Sequence, residues 1–370
     1  MNKIFTLKNC VVGSFLCGGF TYLYKNNSSN NQNDKKKLVI IGNGWGSHYL
    51  QKYINDDKFS KTIIANNKNM LYTPNLVSSL YEDAVTEINN NNIIIDTATK
   101  IDYKNKELQT NNNKYSYDDV IFCTGSETND YNIDGVKEYS IKFKTIKDRD
   151  ELKNKLKNKN IKKIVIIGSG AVGIELSSLL ESKGYDVTII EGLKEILPGF
   201  TNQTKENIEK YLEEKNIKLI KQNFVKSITE SKVVTDKSDI DYDLVIWSGG
   251  IKFNGYESTV LYKLLSEKAK IVPRGINVKD NFSVDDENNV YCVGAMVANK
   301  GPPTAQNAKN QAQWLSEYLN KDKNNENDFI IHEKGKILHL NKKIYVESDL
   351  YNGYIHKPFS YVIDFAIKYY

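Results

Sequence analysis

The strongest constraint on this chain is a strand, glycine turn and helix pattern that occurs twice, the second copy 126 residues after the first. Lys37-Leu38-Val39-Ile40-Ile41 is a continuous apolar run of strand type that leads into Gly42-Asn43-Gly44-Trp45-Gly46-Ser47, and residues 48–54 keep helical spacing. Later, Ile164-Val165-Ile166-Ile167 leads into Gly168-Ser169-Gly170-Ala171-Val172-Gly173-Ile174-Glu175 and a helix to about Ser182. A second strand follows, Tyr185-Asp186-Val187-Thr188-Ile189-Ile190-Glu191. Unbroken apolar strands alternating with helices are covered on both faces, which predicts a parallel sheet and an α/β fold. Gly42 and Gly168 permit the tight turn, and Gly44 and Gly170 let a pyrophosphate approach the backbone. The helix start behind each turn offers unpaired N–H groups and a positive dipole end. Each copy is a candidate dinucleotide site.

The copies are not equivalent. Glu191 falls 23 residues after Gly168, at the end of the second strand, where a carboxylate accepts the adenosine ribose 2′-OH and repels a 2′-phosphate. That unit is expected to prefer NADH to NADPH. The corresponding stretch of the first unit, Ile63-Ile64-Ala65-Asn66, has no carboxylate. Two unlike dinucleotide units in one chain imply two dinucleotides, and hydride transfer from a nicotinamide to a flavin is the economical explanation.

At 370 residues the chain is long enough for two or three domains, and 40% hydrophobic residues exclude wholesale disorder. The net charge of +5, dispersed through the chain, leaves no nucleic-acid footprint. Cys10, Cys17, Cys123 and Cys292 form neither a CxxC pair nor a metal-ligand spacing, and the four histidines make no HExxH, so no metal is expected. The N-terminus reads as a separate targeting segment and linker over residues 1–36. It has Lys3, Lys8 and Lys25 with no acidic residue before Asp34, and residues 10–24 are small, apolar or aromatic. This reads as a mitochondrial presequence or a short membrane-inserted leader, with a secretory signal as the competing reading.

Beyond these patterns the residues resemble a known family, the type II (alternative, non-proton-pumping) NADH:quinone oxidoreductases, flavoproteins with two dinucleotide-binding domains. The first turn looks like that family's G-x-G-W-G, and Met70-Leu71-Tyr72-Thr73-Pro74 is similar to its segment along the isoalloxazine ring. Phe122-Cys123-Thr124-Gly125 resembles its strand ending in A-T-G. Thr128-Asn129 and Ile133-Asp134-Gly135-Val136 match further pieces. Glu191-Gly192-Leu193-Lys194-Glu195-Ile196-Leu197-Pro198 looks like E-A-x-x-x-I-L-P, and Trp247-Ser248-Gly249-Gly250 like W-A-T-G. Arg274-Gly275-Ile276-Asn277-Val278 and Gly301-Pro302-Pro303-Thr304-Ala305-Gln306 complete an ordered series over residues 37 to about 320, the last similar to the L-P-P-T-A-Q of the family's quinone-facing helix.

The resemblance implies an α/β fold of two Rossmann-like, glutathione-reductase-like domains, with the NAD domain (161–251) inserted in the FAD domain (37–160 and 252–325) and a membrane-interface or dimer segment at 326–370. It implies FAD contacts at Gly42, Gly44, Gly46, Thr73, Pro74, Thr124 and Gly125, and again at Gly294, Ala295, Thr304 and Ala305. It implies NADH contacts at Gly168, Gly170, Gly173, Glu191 and Gly249. Glu175 is the candidate for orienting the nicotinamide or relaying a proton, and Gln306 for meeting a quinone. Two departures stand out: Ala295 replaces an aspartate that bonds a ribitol hydroxyl of FAD, and Asn310 replaces a second glutamine. A degenerate flavoprotein that binds without turnover, and an NADH oxidase or ferredoxin-reductase-like enzyme with another acceptor, are the competing readings. Between Gly42 and Cys123 there is no cysteine, which disfavours disulfide and sulfide reductases. Phe359, Val362, Ile363, Ala366, Tyr369 and Tyr370 recur at helical spacing. They are read as an interfacial anchor at the mitochondrial inner membrane or a homodimer contact, and a third reading sets Lys357-Pro358-Phe359-Ser360-Tyr361 against the segment that precedes the family's anchor.

Overall fold

Strand Lys36–Ile41 is buried from Leu38 onward because it lies in the middle of a five-stranded, wholly parallel sheet. In space the order is Val290–Cys292, Asp119–Phe122, Lys36–Ile41, Phe59–Ala65, Ile93–Ile95. The register sets Val39 opposite both Thr62 and Val120. This computed structural model describes residues 35–356 except 85, 91, 254–259, 285, 287, 288, 325 and 326. The leader and the apolar stripe of residues 359–370 lie outside the described residues.

A second five-stranded parallel sheet repeats the plan, in the order Ser140–Lys142, Leu244–Trp247, Lys163–Ile167, Asp186–Ile190, Lys218–Ile220. Because Val290–Cys292 returns to the first sheet after the second is complete, the second unit is inserted in the first. The antiparallel pair Ser126–Thr128 and Ile251–Phe253 carries the two crossings. In each sheet the strand order reverses at the glycine-turn strand, and the crevice beyond the carboxyl ends at such a reversal is where open α/β sheets bind ligands.

Two details differ from the expected domain limits. Ser140–Lys142 pairs with Leu244–Trp247, so the second sheet recruits chain well before residue 161; Ile141, Phe143 and Leu152 are buried in its core. The described part of 326–370 includes a third sheet of antiparallel strands, Lys336–Leu340, Lys343–Glu347 and Asn352–His356. Its Leu338, Leu340 and Tyr345 are buried in the second unit's core. Side chains such as Leu38, Ile40, Phe122 and Tyr291 are fully buried around the first sheet, each aliphatic one contributing ~1.5–3 kcal/mol. The helices Trp45–Tyr53 and Ala305–Asn320 pack against each other beside that sheet.

Candidate functional site

The two glycine turns are built alike. Gly42 has φ +119° and Gly168 φ +98°, a region that L side chains rarely adopt. A Cβ at Gly42 would lie 2.5 Å from the Cys123 carbonyl oxygen, and one at Gly168 2.6 Å from that of Ser248. The next glycine of each turn is the opposite case. Gly44 and Gly170 cap their helices in extended conformation, and a Cβ built on either meets nothing within 4 Å. Clamped against the neighbouring strand on one side and open on the other, each turn fits a pyrophosphate held on backbone N–H groups at a helix start. Gly173 is needed for packing, since a Cβ there would fall 2.1 Å from the Gly168 carbonyl oxygen. A Cβ at Gly46 would lie 3.3 Å from both Cys123 Cβ and Val293 Cγ2, and Ser47 beside it is fully buried.

Glu191 follows strand Asp186–Ile190 and turns back onto the second turn. Its Oε2 accepts the Ser169 N–H (2.9 Å) and the Ser169 hydroxyl (2.6 Å), and its Oε1 accepts the Leu193 N–H (2.9 Å). The Glu191 carboxylate thus sits on the glycine turn itself. Gly249 lies at the end of the adjacent strand, where its carbonyl accepts the Tyr131 hydroxyl (3.1 Å).

On the first unit, Trp45 Nε1 donates to Thr73 Oγ1 (3.1 Å), and the indole stacks on Tyr49 and tilts against Tyr72. Trp45 is therefore a packing residue that fixes Thr73 at the start of the short turn Thr73–Asn75, with Pro74 in its first positions. Thr124 reaches the Met296 sulfur at 3.6 Å, and Gly125 has φ +77° with open space at its Cβ position. Across the same edge is the turn Gly294–Met296. The buried Gly294 N–H donates to Gln311 Oε1 (2.6 Å), and the Ala295 carbonyl accepts from Arg274 Nη1 (3.2 Å). Thr304 caps helix Ala305–Asn320, accepting the Asn307 N–H at 3.1 Å. The sequence reading missed Gln311 and Ser169; each had only its place next to a named motif residue as a signal.

Both candidate catalytic residues meet chain from the C-terminal side. Glu175, in helix Ala171–Glu181, is buried, and its Oε1 accepts the His339 N–H of the third sheet (2.9 Å). Burial pushes its carboxyl up to about 8 against a smaller opposing effect of that hydrogen bond, so it is protonated at neutral pH. Gln306 Oε1 accepts the Lys334 N–H (2.7 Å), and Asn310 Nδ2 donates to the His332 carbonyl (2.8 Å). Ile331 seats on Gly301, where a Cβ would lie 2.5 Å from its Cδ1. Residues 331–334 therefore form a strap across the first two turns of the long helix. Of the described cysteines, Cys123 and Cys292 are buried free thiols, and burial pushes Cys123 up to about 12.

Residues 36–312 match the family described as pyridine nucleotide-disulphide oxidoreductase. A probable mitochondrial NADH-ubiquinone oxidoreductase of Schizosaccharomyces pombe is 24% identical over 81% of this chain and 65% of its own length. The external alternative NADH-ubiquinone oxidoreductase of Yarrowia lipolytica, also mitochondrial, is 23% identical over 82% of this chain and 64% of its own length. The chain thus spans a little under two thirds of these relatives. Among solved structures, NDH2 of Plasmodium falciparum in complex with NADH has the same fold, with a TM-score of 0.77 at 19% identity over 90% of this chain and 94% of that one.

Proposed function

The chain belongs to the pyridine nucleotide-disulphide oxidoreductase family, and from that premise we propose that it oxidises NADH through a bound FAD and passes the electrons to a quinone. The observation that carries this reading is the pair of like-built turns, of which only the second ends in a carboxylate. Both cradles fit a pyrophosphate, and Glu191 makes the second a site for NADH. The disulfide chemistry in the family's name has no support here, because no cysteine lies between Gly42 and Cys123.

Gly42, Gly44 and Gly46 would hold the FAD pyrophosphate at the start of helix Trp45–Tyr53, with Thr73, Pro74, Thr124, Gly125, Gly294 and Ala295 along the rest of the cofactor. When bound, FAD supplies two-electron exchange between NADH and the acceptor. Thr304 and Ala305 begin a helix whose positive end would stabilise negative charge accumulated on reduction. Gly168, Gly170, Gly173, Glu191 and Gly249 would position NADH. Glu175 would hold a proton near the meeting of the two units. The relatives' names supply the quinone, and Gln306 is the residue assigned to it; a quinone reaching that amide displaces the strap at Lys334.

The address is proposed as mitochondrial, carried by residues 1–36, with peripheral attachment at the inner membrane. Both curated relatives above are mitochondrial by name, and among the described residues no helix is long and apolar enough to cross a membrane. The apolar stripe at 359–370 would meet the membrane surface or a second copy.

The test is spectroscopic. Purified protein is expected to show a flavin absorbance band, bleach anaerobically with NADH faster than with NADPH, and recover on addition of a short-chain quinone. A protein that neither carries nor takes up FAD favours the degenerate reading, and recovery with oxygen or ferredoxin but not quinone favours the other acceptors.

A further inference from the structure

We infer that Ser169 is a positioning residue for nucleotide choice: by placing its amide and its hydroxyl on one oxygen of Glu191, it fixes the carboxylate so that the other oxygen is the one offered to the adenosine ribose. The inference rests on the reading of Glu191 as the NADH selector and goes beyond it in assigning what holds the selector in place.

Ser169 is the middle residue of Gly168-Ser169-Gly170 and is fully buried. Both of its donors go to Oε2 of Glu191, at 2.9 Å from the amide and 2.6 Å from the hydroxyl. Its carbonyl accepts the Leu197 N–H at 3.0 Å, so residue 169 is itself held from the other side. The Leu193 N–H takes one position on Oε1. An ionised carboxylate has about four acceptor positions. Ser169 and Leu193 fill three of them, and the position left over is on Oε1. The ribose 2′-OH has one hydrogen to donate and finds one oriented site for it.

The amide donor is common to any residue at this position of such a turn, so the hydroxyl is what serine adds. Glutamate has three side-chain torsions. Without the hydroxyl the carboxylate keeps only two of its three anchors and gains rotamer freedom that a nucleotide must remove on binding. A carboxylate that swings away also repels a 2′-phosphate less, because repulsion falls with distance. Loss of the hydroxyl is therefore expected to weaken the correct nucleotide and to narrow its margin over the wrong one.

The experiment titrates the full-length protein calorimetrically with ADP-ribose and with 2′-phospho-ADP-ribose, which probe the adenosine half without turnover. Ser169→Ala is expected to weaken ADP-ribose by about fivefold to tenfold and to lower its preference over the 2′-phosphorylated probe by a similar factor. Ser169→Thr restores the hydroxyl and is expected to restore the preference. In a Glu191→Gln background Ser169→Ala is expected to add nothing, because the serine acts through the carboxylate. A merely structural serine would shift the melting temperature and flavin content and leave the preference alone. The inference is overturned if Ser169→Ala keeps the wild-type preference while Glu191→Gln loses it, or if Ser169→Ala has its full effect in the Glu191→Gln background. A preference unchanged in Glu191→Gln removes the selector reading, and this inference with it. If Ser169→Ala is not recovered folded, Ser169→Cys, of similar volume and with a weaker donor, carries the same expectations.

Discussion

Replacing Glu175 by glutamine is expected to make the protein more stable at neutral and alkaline pH and to change it little in mild acid. The carboxyl is buried in helix Ala171–Glu181 with the His339 N–H on Oε1. Burial raises it from an ordinary 4.5 to about 8. Below the ordinary value both the folded and the unfolded chain are protonated, and the full stability is present. Between that value and about 8 the unfolded chain loses its proton while the fold retains it, so stability falls as pH rises. Each unit of that interval is worth about 1.4 kcal/mol, so the loss between about pH 5 and about pH 7.5 is ~3 kcal/mol. Glutamine keeps the shape and the acceptor for His339 but has no proton to lose. Urea unfolding of wild type and Glu175→Gln at the two pH values, compared at equal m values, measures the difference. The variant should lead by under ~1 kcal/mol at the lower pH, and its lead should grow by ~3 kcal/mol at the higher. Parallel pH dependences would falsify the assignment, since a carboxyl ionised in the fold at neutral pH gives the variant no advantage.

Ala295→Asp is expected to tighten FAD by about one to two decades, the worth of one charge-assisted hydrogen bond; Arg274, already on the Ala295 carbonyl, offers a compensating charge. Flavin retention after gel filtration and fluorimetric titration of apoprotein read it, and unchanged affinity would show that residue 295 does not face the cofactor. Glu347→Ala is expected to loosen the third sheet at a cost of ~2–4 kcal/mol, because Glu347 Oε2 accepts from the Thr201 amide and from the Thr201 and Thr204 hydroxyls at the start of helix Asn202–Glu214. Burial pushes that carboxyl up, but these bonds and Lys336 outweigh it and hold it below the ordinary 4.5. Its contribution is therefore present above that value and lost as pH falls below it. Proteolysis of the third sheet that is faster in Glu347→Ala at neutral pH, and in wild type only in acid, is the expected pattern.

What could be read from the sequence was local. A glycine trio after an apolar run specifies its own geometry, so Gly42, Gly44, Gly168 and Gly170 are where the motif requires them, and the Thr304 cap follows from a threonine just before a helix. Glu191 is a question of one strand length. The unread parts depend on partners far away in the chain. Ser140–Lys142 is too short to have a period of its own, and it is a strand only because Leu244–Trp247 lies beside it. The third sheet alternates weakly, and its burial comes from helices that precede it by more than a hundred residues. The strap at residues 331–334 has no pattern at all; it is defined by Gly301, Gln306 and Asn310 on the surface beneath it.

The two departures from the family pattern have different structural settings, which separates them as arguments for degeneracy. At Ala295 the carboxylate is gone, yet its turn is held from two sides, by Gln311 on the Gly294 amide and by Arg274 on the Ala295 carbonyl. Gln311 is buried with both ends of its amide used, Oε1 on the Gly294 N–H and Nε2 on the Lys300 carbonyl at 3.1 Å, so its support of the turn does not depend on the side chain at 295. Both supports act on backbone atoms of residues 294 and 295, so the turn holds its shape with alanine at 295. At Asn310 the shortened amide has found a new partner within the chain, the His332 carbonyl, next to a glycine at 301 that makes room for Ile331. There Gly301, Gln306 and Asn310 all hold the same strap over the start of the long helix, away from both dinucleotide turns. Flavin binding and the cover over Gln306 can thus be tested separately, the first at Ala295 and the second at the strap.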